Sequence, residues 1–295
     1  MEFALLPGKY IVAVSGGVDS MVLLHKLIAM PDVAIIVAHF DHGMRPDSEL
    51  DRLFVEAIAH DYGLKFVYKT EALGSGASEA TAREARYAFL RQIKIEYQAV
   101  AIVTAHHQDD ALETAILNLS RGTGRRGLTA LADTVELKRP LLNTPKAELL
   151  AYAASHKVQW HEDSTNTDQT YLRNYIRHSV LPRFGQPERL RLLSYIEKLR
   201  IVNDELDRSL TEQLRDHVQE NQLSRLAIQT LPDEIAKEIL IIWWRQNGFL
   251  SYESKTLKRA LTDSKSGKTG SIIPLKAGYS MKVGRTWLAL MNTER

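Results

Sequence analysis

Cysteine is absent from the 295 residues, and its absence excludes several kinds of chemistry. Such a chain cannot form disulfides, bind zinc or an iron–sulfur cluster through thiolates, or use a cysteine nucleophile. Long apolar runs are also missing, since none approaches the ~18 residues that cross a bilayer. The start, Met1 to Tyr10, lacks the basic and apolar regions of a signal peptide. We therefore expect a cytoplasmic protein that does not enter the membrane.

The net charge of the chain is small, but its positive and negative residues are unevenly distributed along the sequence. The net charge is +2, yet residues 1–120 carry 10 Lys and Arg against 16 Asp and Glu, and residues 121–295 carry 28 against 20. An acidic first half followed by a basic second half favours small-molecule chemistry in the first and a polyanionic partner for the second. A chance fluctuation of surface charge is the alternative.

The first half alternates short apolar runs with amphipathic segments. The pattern predicts strands at 10–14, 33–38, 65–68 and 100–104, with helices at 19–30, 48–62, 78–97 and 109–119. It is typical of an α/β fold with a Rossmann-like parallel sheet that helices cover on both faces. Ligands of such sheets bind beyond the carboxyl ends of the strands, which here are followed by SGGVDS, HFDHGMR and AHHQDDALET.

The second half has a different pattern, with a boundary near Pro182 and Pro187. We predict a catalytic domain over 1–186, a connecting helix over 187–218 and a small α+β domain over 219–295. Within the last domain, helices are expected at 233–247 and 253–261 and strands at 271–274 and 286–291.

The segment after the first predicted strand has the features of a phosphate-binding loop. Its residues are Ser15, Gly16, Gly17, Val18, Asp19 and Ser20. The glycines let backbone N–H groups approach an anion, and the following helix adds its N-terminal N–H groups. The loop has no lysine, so it is not a Walker A loop. A carboxylate beside phosphate needs a bridging cation, so Asp19 indicates Mg²⁺; a simple helix cap with tight-turn glycines is the alternative.

The segment after the fourth predicted strand contains His106, His107, Asp110 and Glu113. Asp110 and Glu113 are three residues apart and share one helix face. Two adjacent carboxylates suit an ammonium group. They could instead bind a metal with the histidines, or form an ordinary acidic first turn.

Basic residues form three further groups. Arg83 and Arg86 lie three apart on a predicted helix. The glycine-rich segment after Leu119 carries Arg121, Arg125 and Arg126, which suit RNA phosphates or closure over ATP, although a plain surface loop is also possible. Arg173 and Arg177 share a helix face beside Asn174, a combination that suits the phosphates and edges of an unstacked base.

SGGVDS after an apolar strand resembles the loop of the N-type ATP pyrophosphatases, the PP-loop superfamily. The resemblance implies cleavage of ATP between its α and β phosphates and transfer of AMP to a carbonyl-type oxygen. Over residues 8–185 the ordered motifs SGGVDS, HFDHGMR, AREARY, HHQDDALET, RGTGRRGL, RPLL and DSTN to YLRNYIR resemble the tRNA(Ile)-lysidine synthetase family. The sulfur-inserting relatives rely on cysteines, which this chain lacks.

The resemblance implies that the wobble cytidine of a CAU-anticodon isoleucine tRNA is adenylated at its C2 oxygen and then attacked by the ε-amine of free lysine. It implies ATP on Ser15–Ser20 with Mg²⁺ at Asp19, lysine on Asp110 and Glu113, and proton transfer by His106 or His107. Arg83, Arg86 and Arg173 would offset negative charge on phosphates or RNA. The small domain at 219–295 would bind the body of the tRNA. The residues expected to contact tRNA are Arg121, Arg125, Arg126, Asn174 and Arg177.

Two alternatives stay open at this point. One is another PP-loop synthetase that adenylates a small molecule. The other is a tRNA-binding protein without catalytic activity. The sequence does not indicate whether the protein is a monomer or a homodimer.

Overall fold

The computed structural model describes residues 3–43, 48–72, 79–161, 172–249 and 252–292. The chain divides into two compact units, residues 1–199 and 200–295. The long helix at 186–215 contributes to both units. The three-part division at 186/187 and 218/219 stays a prediction.

A parallel sheet forms the centre of the first unit. Within the described residues its strands are β1 (Gly8–Ala13), β2 (Val33–Asp41), β3 (Lys65–Thr70), β4 (Ala101–Val103) and β5 (Leu137–Lys138). Their order is β3-β2-β1-β4-β5, and each neighbouring pair is parallel. The strand order runs outward in both directions from β1, so the ends of β1 and β4 flank a topological switch point, where ligands of such sheets bind.

Helices of the first unit follow the strands. They are α1 (Val18–Ile28), α2 (Ser48–Asp61), α3 (Glu79–Glu96), α4 (Gln108–Ser120), α5 (Arg125–Leu128), α6 (Lys146–Ser155), α7 (Leu172–Tyr175) and α8 (Gln186–Arg215). A π-helical turn, Ile176–Val180, continues α7.

The strands of this sheet are apolar on both sides because both sides are covered. In β1, Val12 packs into the core cluster that includes Leu23 of α1 and Leu149 of α6. Its neighbour Ile11 points to the opposite face and packs into the cluster that includes Leu90 of α3. A strand buried on both faces reads as a continuous apolar run, as YIVAV does.

The second unit has an antiparallel sheet packed against helices. Its strands are β6 (Val218–Gln219), β7 (Gln222–Ser224), β8 (Ile272–Pro274), β9 (Tyr279–Val283) and β10 (Trp287–Asn292), in the order β6-β7-β10-β9-β8. Its helices are α9 (Arg225–Thr230), α10 (Asp233–Gln246) and α11 (Ser254–Ser266). Trp243 and Trp244 of α10 are fully buried in its core.

The fold class predicted from the sequence is confirmed, with additions. The two-residue strand β5 was missed because LK lacks an apolar run. Strands β6 and β7 and helix α9 were missed because they are short, and β9 was missed because its sequence, YSMKV, has no continuous apolar run. The glycine-rich segment expected to be a loop contains one helical turn, α5, which is a correction.

A buried arginine connects three chain segments of the second unit. Arg225 is 6% exposed, and its guanidinium donates to the carbonyl oxygens of Ser264 at 2.8 Å, Gly267 at 2.6 Å and Gly284 at 2.9 Å. The carbonyls of Ser264 and Gly267 lie at the end of α11, and the carbonyl of Gly284 lies in the loop between β9 and β10. Replacing Arg225 would leave several buried acceptors without donors.

Arg225→Met should therefore lower the free energy of unfolding of the second unit by about 3 kcal/mol. Tryptophan fluorescence in urea is the measurement, since three of the four tryptophans lie beyond residue 200. Arg245→Met, at an exposed position in the last turn of α10, is the matched control and should change little. Equal midpoints for the two variants would contradict this account of Arg225.

Candidate active site

The loop between β1 and α1 is built to leave backbone donors open. Ser20 Oγ donates to Gly17 O at 2.9 Å and accepts from Ser15 N at 3.2 Å, so the loop is closed on itself. Gly16 has φ +95°, a conformation that L-residues with a side chain rarely adopt. No side chain caps α1 at Gly17, so the first N–H groups of the helix remain for a ligand. The predicted phosphate loop is therefore present as a strand–loop–helix.

His161 and helix α2 support this loop from outside. His161 N donates to Gly16 O at 3.0 Å, while its Nδ1 lies 3.0 Å from Asp51 Oδ1 and its ring stacks on Phe54 at 4.1 Å. A peptide C=O and the following N–H point in opposite directions. Holding the Gly16 carbonyl toward His161 therefore turns the Gly17 N–H away from His161.

Asp19, the first acidic residue of α1, is paired on both of its oxygens. Oδ1 lies 2.6 Å from Lys146 Nζ, and Oδ2 lies 3.5 Å from His107 Nε2. Burial alone would raise the pKa of Asp19, but the hydrogen bond and charge of His107 and the charge of Lys146 outweigh it and lower the pKa. Asp19 is thus an anion placed at the switch point.

His107 joins this carboxylate to the start of α4. It is the N-cap residue: its Nδ1 accepts from Asp109 N at 3.2 Å, and its own N–H donates to Asp110 Oδ2 at 2.9 Å. Its Nε2 lies 3.5 Å from both Asp19 Oδ2 and Asp110 Oδ2. Burial lowers the pKa of His107, but the hydrogen bond to Asp19 and the two carboxylate charges raise it above its usual value. The sequence-predicted residues Asp19, His107 and Asp110 therefore meet in one cluster.

Asp110 and Glu113 also meet, but each faces arginine. Arg177 donates to Glu113 Oε1 at 2.6 Å and Oε2 at 2.9 Å, and Arg173 donates to Glu113 Oε2 at 3.2 Å. Arg177 and Arg173 also lie 3.4 and 3.6 Å from Asp110 Oδ1. Glu113 is 1% exposed and Asp110 8%. Two carboxylates and two guanidinium groups form a charge-balanced, largely buried network.

A group of arginines surrounds His106, whose Nδ1 lies 2.8 Å from Thr104 Oγ1. Burial holds the pKa of His106 well below its usual range, and the positive charges of neighbouring arginines lower it further. These arginines are, in order of effect, Arg139, Arg83, Arg86 and Arg173. His106 is therefore a neutral imidazole in a strongly positive part of the site.

Arg83 and Arg86 lie over Tyr87, at 4.8 and 5.6 Å from its ring centre. Arg139 follows β5, is 6% exposed, and donates to Ala132 O. Its Nε has no hydrogen-bond partner within the described part of the chain. This buried donor belongs to the same positive group, which suits an anion such as phosphate.

The arginine-rich segment after α4 is folded onto that helix. Asn118 Nδ2 donates to Gly127 O at 2.7 Å, and Arg121 caps the end of α4. Arg121 is exposed, while Arg125 and Arg126 lie in α5 and are half-buried.

The remaining predicted tRNA contact, Asn174, lies in α7, between Arg173 and Arg177. Met44 and Arg45 of HFDHGMR, the DSTN motif and Tyr171 lie outside the described residues.

Sequence reasoning missed three residues that the structure adds to the site. Arg139 stands at a strand end, a signal that recognition of β5 would have supplied. Lys146 begins α6, distant in sequence from Asp19, and only the folded chain brings them together. His161 lies beside the loop at the end of a segment without periodicity.

A magnesium ion fits this site only together with a nucleotide. Within the described ranges, no group of three or more His, Asp or Glu side chains could hold a metal. Magnesium in nucleotide sites uses one or two protein carboxylates and takes its other ligands from phosphate and water. Asp19, at the edge of the phosphate loop and 29% exposed, meets that requirement.

Comparison with known proteins gives consistent matches. A family model described as a PP-loop domain matches residues 5–184. The tRNA(Ile)-lysidine synthase of Francisella tularensis is 30% identical over 287 residues, which cover 94% of this chain and 72% of that protein. The tRNA(Ile)-lysidine synthase of Nitrosomonas europaea is 37% identical over 195 residues, which cover 61% of this chain and 42% of that protein.

A solved structure confirms the fold. The U34-tRNA thiolase from Methanococcus maripaludis superposes with a TM-score of 0.54 at 16% identity, covering 65% of this chain and 72% of that chain.

No helix in the described parts of the chain is long and apolar enough to cross a membrane.

Glu113→Gln should lower the free energy of unfolding of the first unit by about 3 kcal/mol, because it removes the charge that Arg177 and Arg173 share. Urea denaturation followed by circular dichroism is the measurement. Glu96→Gln, the same change at an exposed position at the end of α3 in the same unit, is the control. An unchanged midpoint for Glu113→Gln would mean that the buried network does not stabilise the fold.

Proposed function

The chain belongs to the tRNA(Ile)-lysidine synthase family of PP-loop proteins, and from this premise we propose that it converts a tRNA cytidine to lysidine. The substrate is a CAU-anticodon isoleucine tRNA, with ATP and free lysine as co-substrates and AMP and PPi as products. One observation carries the proposal. The phosphate loop, Asp19, the carboxylates of α4 and the arginines near His106 all lie beyond the carboxyl ends of the parallel strands. We propose that the reaction occurs in the cytoplasm, where these substrates are found together.

In the first step, the C2 oxygen of the cytosine attacks the α-phosphorus of ATP. The bond from that phosphorus to the bridging oxygen of the β-phosphate breaks, and PPi leaves. The uncapped N–H groups in the first turn of α1, at the end of the Ser15–Ser20 loop, hold the phosphates. Asp19 would hold the magnesium ion, which supplies positive charge to the phosphate oxygens when bound. Arg83, Arg86 and Arg139 offset the negative charge of the departing pyrophosphate or of RNA.

In the second step, the ε-ammonium of lysine first releases a proton to solvent. The neutral amine then adds to C2 and loses a second proton, and the bond between C2 and its former oxygen breaks to release AMP. Of the two histidines, His106 is the candidate proton acceptor because it is a neutral imidazole. Burial and the neighbouring arginines lower its pKa and make it a weak base, so it accepts the proton only after the amine has bonded to C2 and become acidic. His107 is already bound at both ring nitrogens, by the cap of α4 and by carboxylates. His107 therefore orients Asp19 and Asp110.

Lysine binding has to use carboxylates that arginines already neutralise. The Arg173 contacts, at 3.2 and 3.6 Å, are longer than the Arg177 contacts with Glu113. We propose that the substrate ammonium takes the place of Arg173 beside Asp110 and Glu113. The released guanidinium then offsets charge on the adenylate or the RNA, while Arg177 keeps the pair in position.

Transfer of radiolabelled lysine tests this function. The protein is incubated with ATP, Mg²⁺ and total bacterial tRNA, and the RNA is digested to nucleosides. We expect label in a modified cytidine, which identifies the acceptor, the nucleophile and the product together. Cleavage of ATP to AMP and PPi without label in RNA would agree with the PP-loop family but would contradict the proposal that the protein forms lysidine.

Asp110→Asn should raise the KM for lysine about 10-fold or more, with little change in the KM for ATP, because an ammonium loses a charged partner. Steady-state kinetics with varied lysine provide the measurement. Asp109→Asn is the matched control, since Asp109 is the adjacent carboxylate but pairs with Arg189 instead. Similar lysine KM values for the two variants would place the amine site elsewhere.

The exposed Arg121 allows a separate test of RNA contact. We expect Arg121→Ala to weaken tRNA binding and to reduce the slope of log affinity against log salt by about 1, as for loss of one phosphate contact. Filter binding over a range of salt concentrations measures both quantities. Glu96→Ala, at an exposed position at the end of α3, controls for the effect of removing a long side chain from the surface. An unchanged salt slope would contradict a phosphate contact at Arg121.

A PP-loop synthetase with a small-molecule acceptor is the alternative. The basic second half of the chain and the arginine group beside His106 favour RNA, because both exceed what one nucleotide needs. A binding protein without catalysis is disfavoured by the ionised, correctly placed Asp19.

A further inference from the structure

The phosphate loop has no lysine of its own, yet a lysine reaches it from another helix. Lys146 is the first residue of α6 and lies 127 residues from Asp19 in sequence. Its Nζ is 2.6 Å from Asp19 Oδ1. The side chains of Lys146 and Asp19 are 33% and 29% exposed, so the pair lies at the open edge of the site and not in the core.

The main chain at Lys146 is fixed by packing, while its ammonium lies at the end of a flexible, partly exposed side chain. Helix α6 is anchored by Leu149 and Ala153, both fully buried. Its start is connected to α4 through the hydrogen bond from Gln108 N to Thr144 O, at 3.0 Å. The four-carbon lysine stem lets a single point charge shift by a few ångströms with its backbone in place.

Asp19 has more cationic partners than it can keep when a nucleotide binds with its metal. Lys146 and His107 already contact its two oxygens. A divalent ion bound to the same carboxylate would repel the ammonium of Lys146. The nucleotide phosphate, which the adjacent loop would hold, is a negative charge that this ammonium could then contact.

We propose that Lys146 is the phosphate-binding lysine of this site, supplied by α6 because the loop lacks one. In the free protein it neutralises Asp19 and keeps that carboxylate ionised and oriented. When ATP and Mg²⁺ bind, the ion takes Asp19 and the ammonium moves to a phosphate oxygen. The inference rests on the proposed binding of ATP at Ser15–Ser20, and it does not depend on lysine or tRNA being the other substrates.

The test uses binding and not turnover. Affinity of the 295-residue protein for α,β-methylene-ATP is measured by calorimetry over a series of Mg²⁺ concentrations, for the wild type, Lys146→Gln, Lys146→Arg and the control Lys157→Gln. Lys157 is exposed and follows the other end of α6. Melting temperatures confirm that each variant is folded.

Two results are expected for Lys146→Gln. At saturating Mg²⁺ the affinity for the analogue should fall about 10-fold or more, as for loss of a charged hydrogen bond to phosphate. The Mg²⁺ concentration at half-maximal binding should also fall, because the ion no longer competes with an ammonium for Asp19. Lys146→Arg should recover most of the analogue affinity, and Lys157→Gln should match the wild type.

Other outcomes separate the possible failures. Unchanged analogue affinity in Lys146→Gln overturns the phosphate contact. Reduced affinity with an unchanged or raised Mg²⁺ midpoint means that Lys146 only orients Asp19, which also overturns the proposal. If Lys146→Gln does not fold, a Mg²⁺ midpoint for Lys146→Arg equal to that of the wild type supports the proposal, and a large rise contradicts it. Failure of the wild type to bind the analogue would instead refute the proposed function.

Discussion

Neutralisation of three carboxylates at the carboxyl ends of the strands is the constraint that organises the first unit. Asp19, Asp110 and Glu113 are buried or half-buried, and burial of an unpaired carboxylate is too costly for a folded protein. Each therefore has a cationic partner from a distant part of the chain: Lys146 for Asp19, and Arg173 and Arg177 for the pair on α4. These pairings connect the start of α1, the start of α6 and the α7 region to α4.

The same constraint prepares the site for charged substrates. Two of the cations that neutralise these carboxylates, Lys146 and Arg173, are ones that we propose a substrate displaces, whereas Arg177 stays in place. In the proposed function, a nucleotide with magnesium would compete for Asp19, and an ammonium would compete for Asp110 and Glu113. His107 lies between the two sets, within 3.5 Å of both Asp19 and Asp110, so occupation of one subsite changes the electrostatics of the other. This arrangement suits a reaction in which adenylation has to precede attack by an amine.

Much of this could be predicted from the sequence, for identifiable reasons. Apolar runs buried on both faces gave the parallel strands, and their ends located the loop at Ser15–Ser20 and the residues of α4. The three-residue spacing of Asp110 and Glu113 placed them on one face, as observed. The partners Lys146 and His161 could not be predicted, because they approach the site only through tertiary packing. Arg139 was missed because the short strand β5 before it was not recognised. The arginines at 173 and 177 were expected to face RNA, whereas in the folded chain they contact carboxylates; their contact with RNA stays a prediction.

The central claim is that this charge-balanced site adenylates an RNA base. ATP–pyrophosphate exchange with lysine omitted tests it most directly, because the first step alone regenerates labelled ATP. The account predicts exchange that depends on a CAU-anticodon isoleucine tRNA and disappears when its wobble cytidine is replaced by uridine. Exchange of equal rate without RNA, or with a small-molecule acceptor in its place, would contradict it.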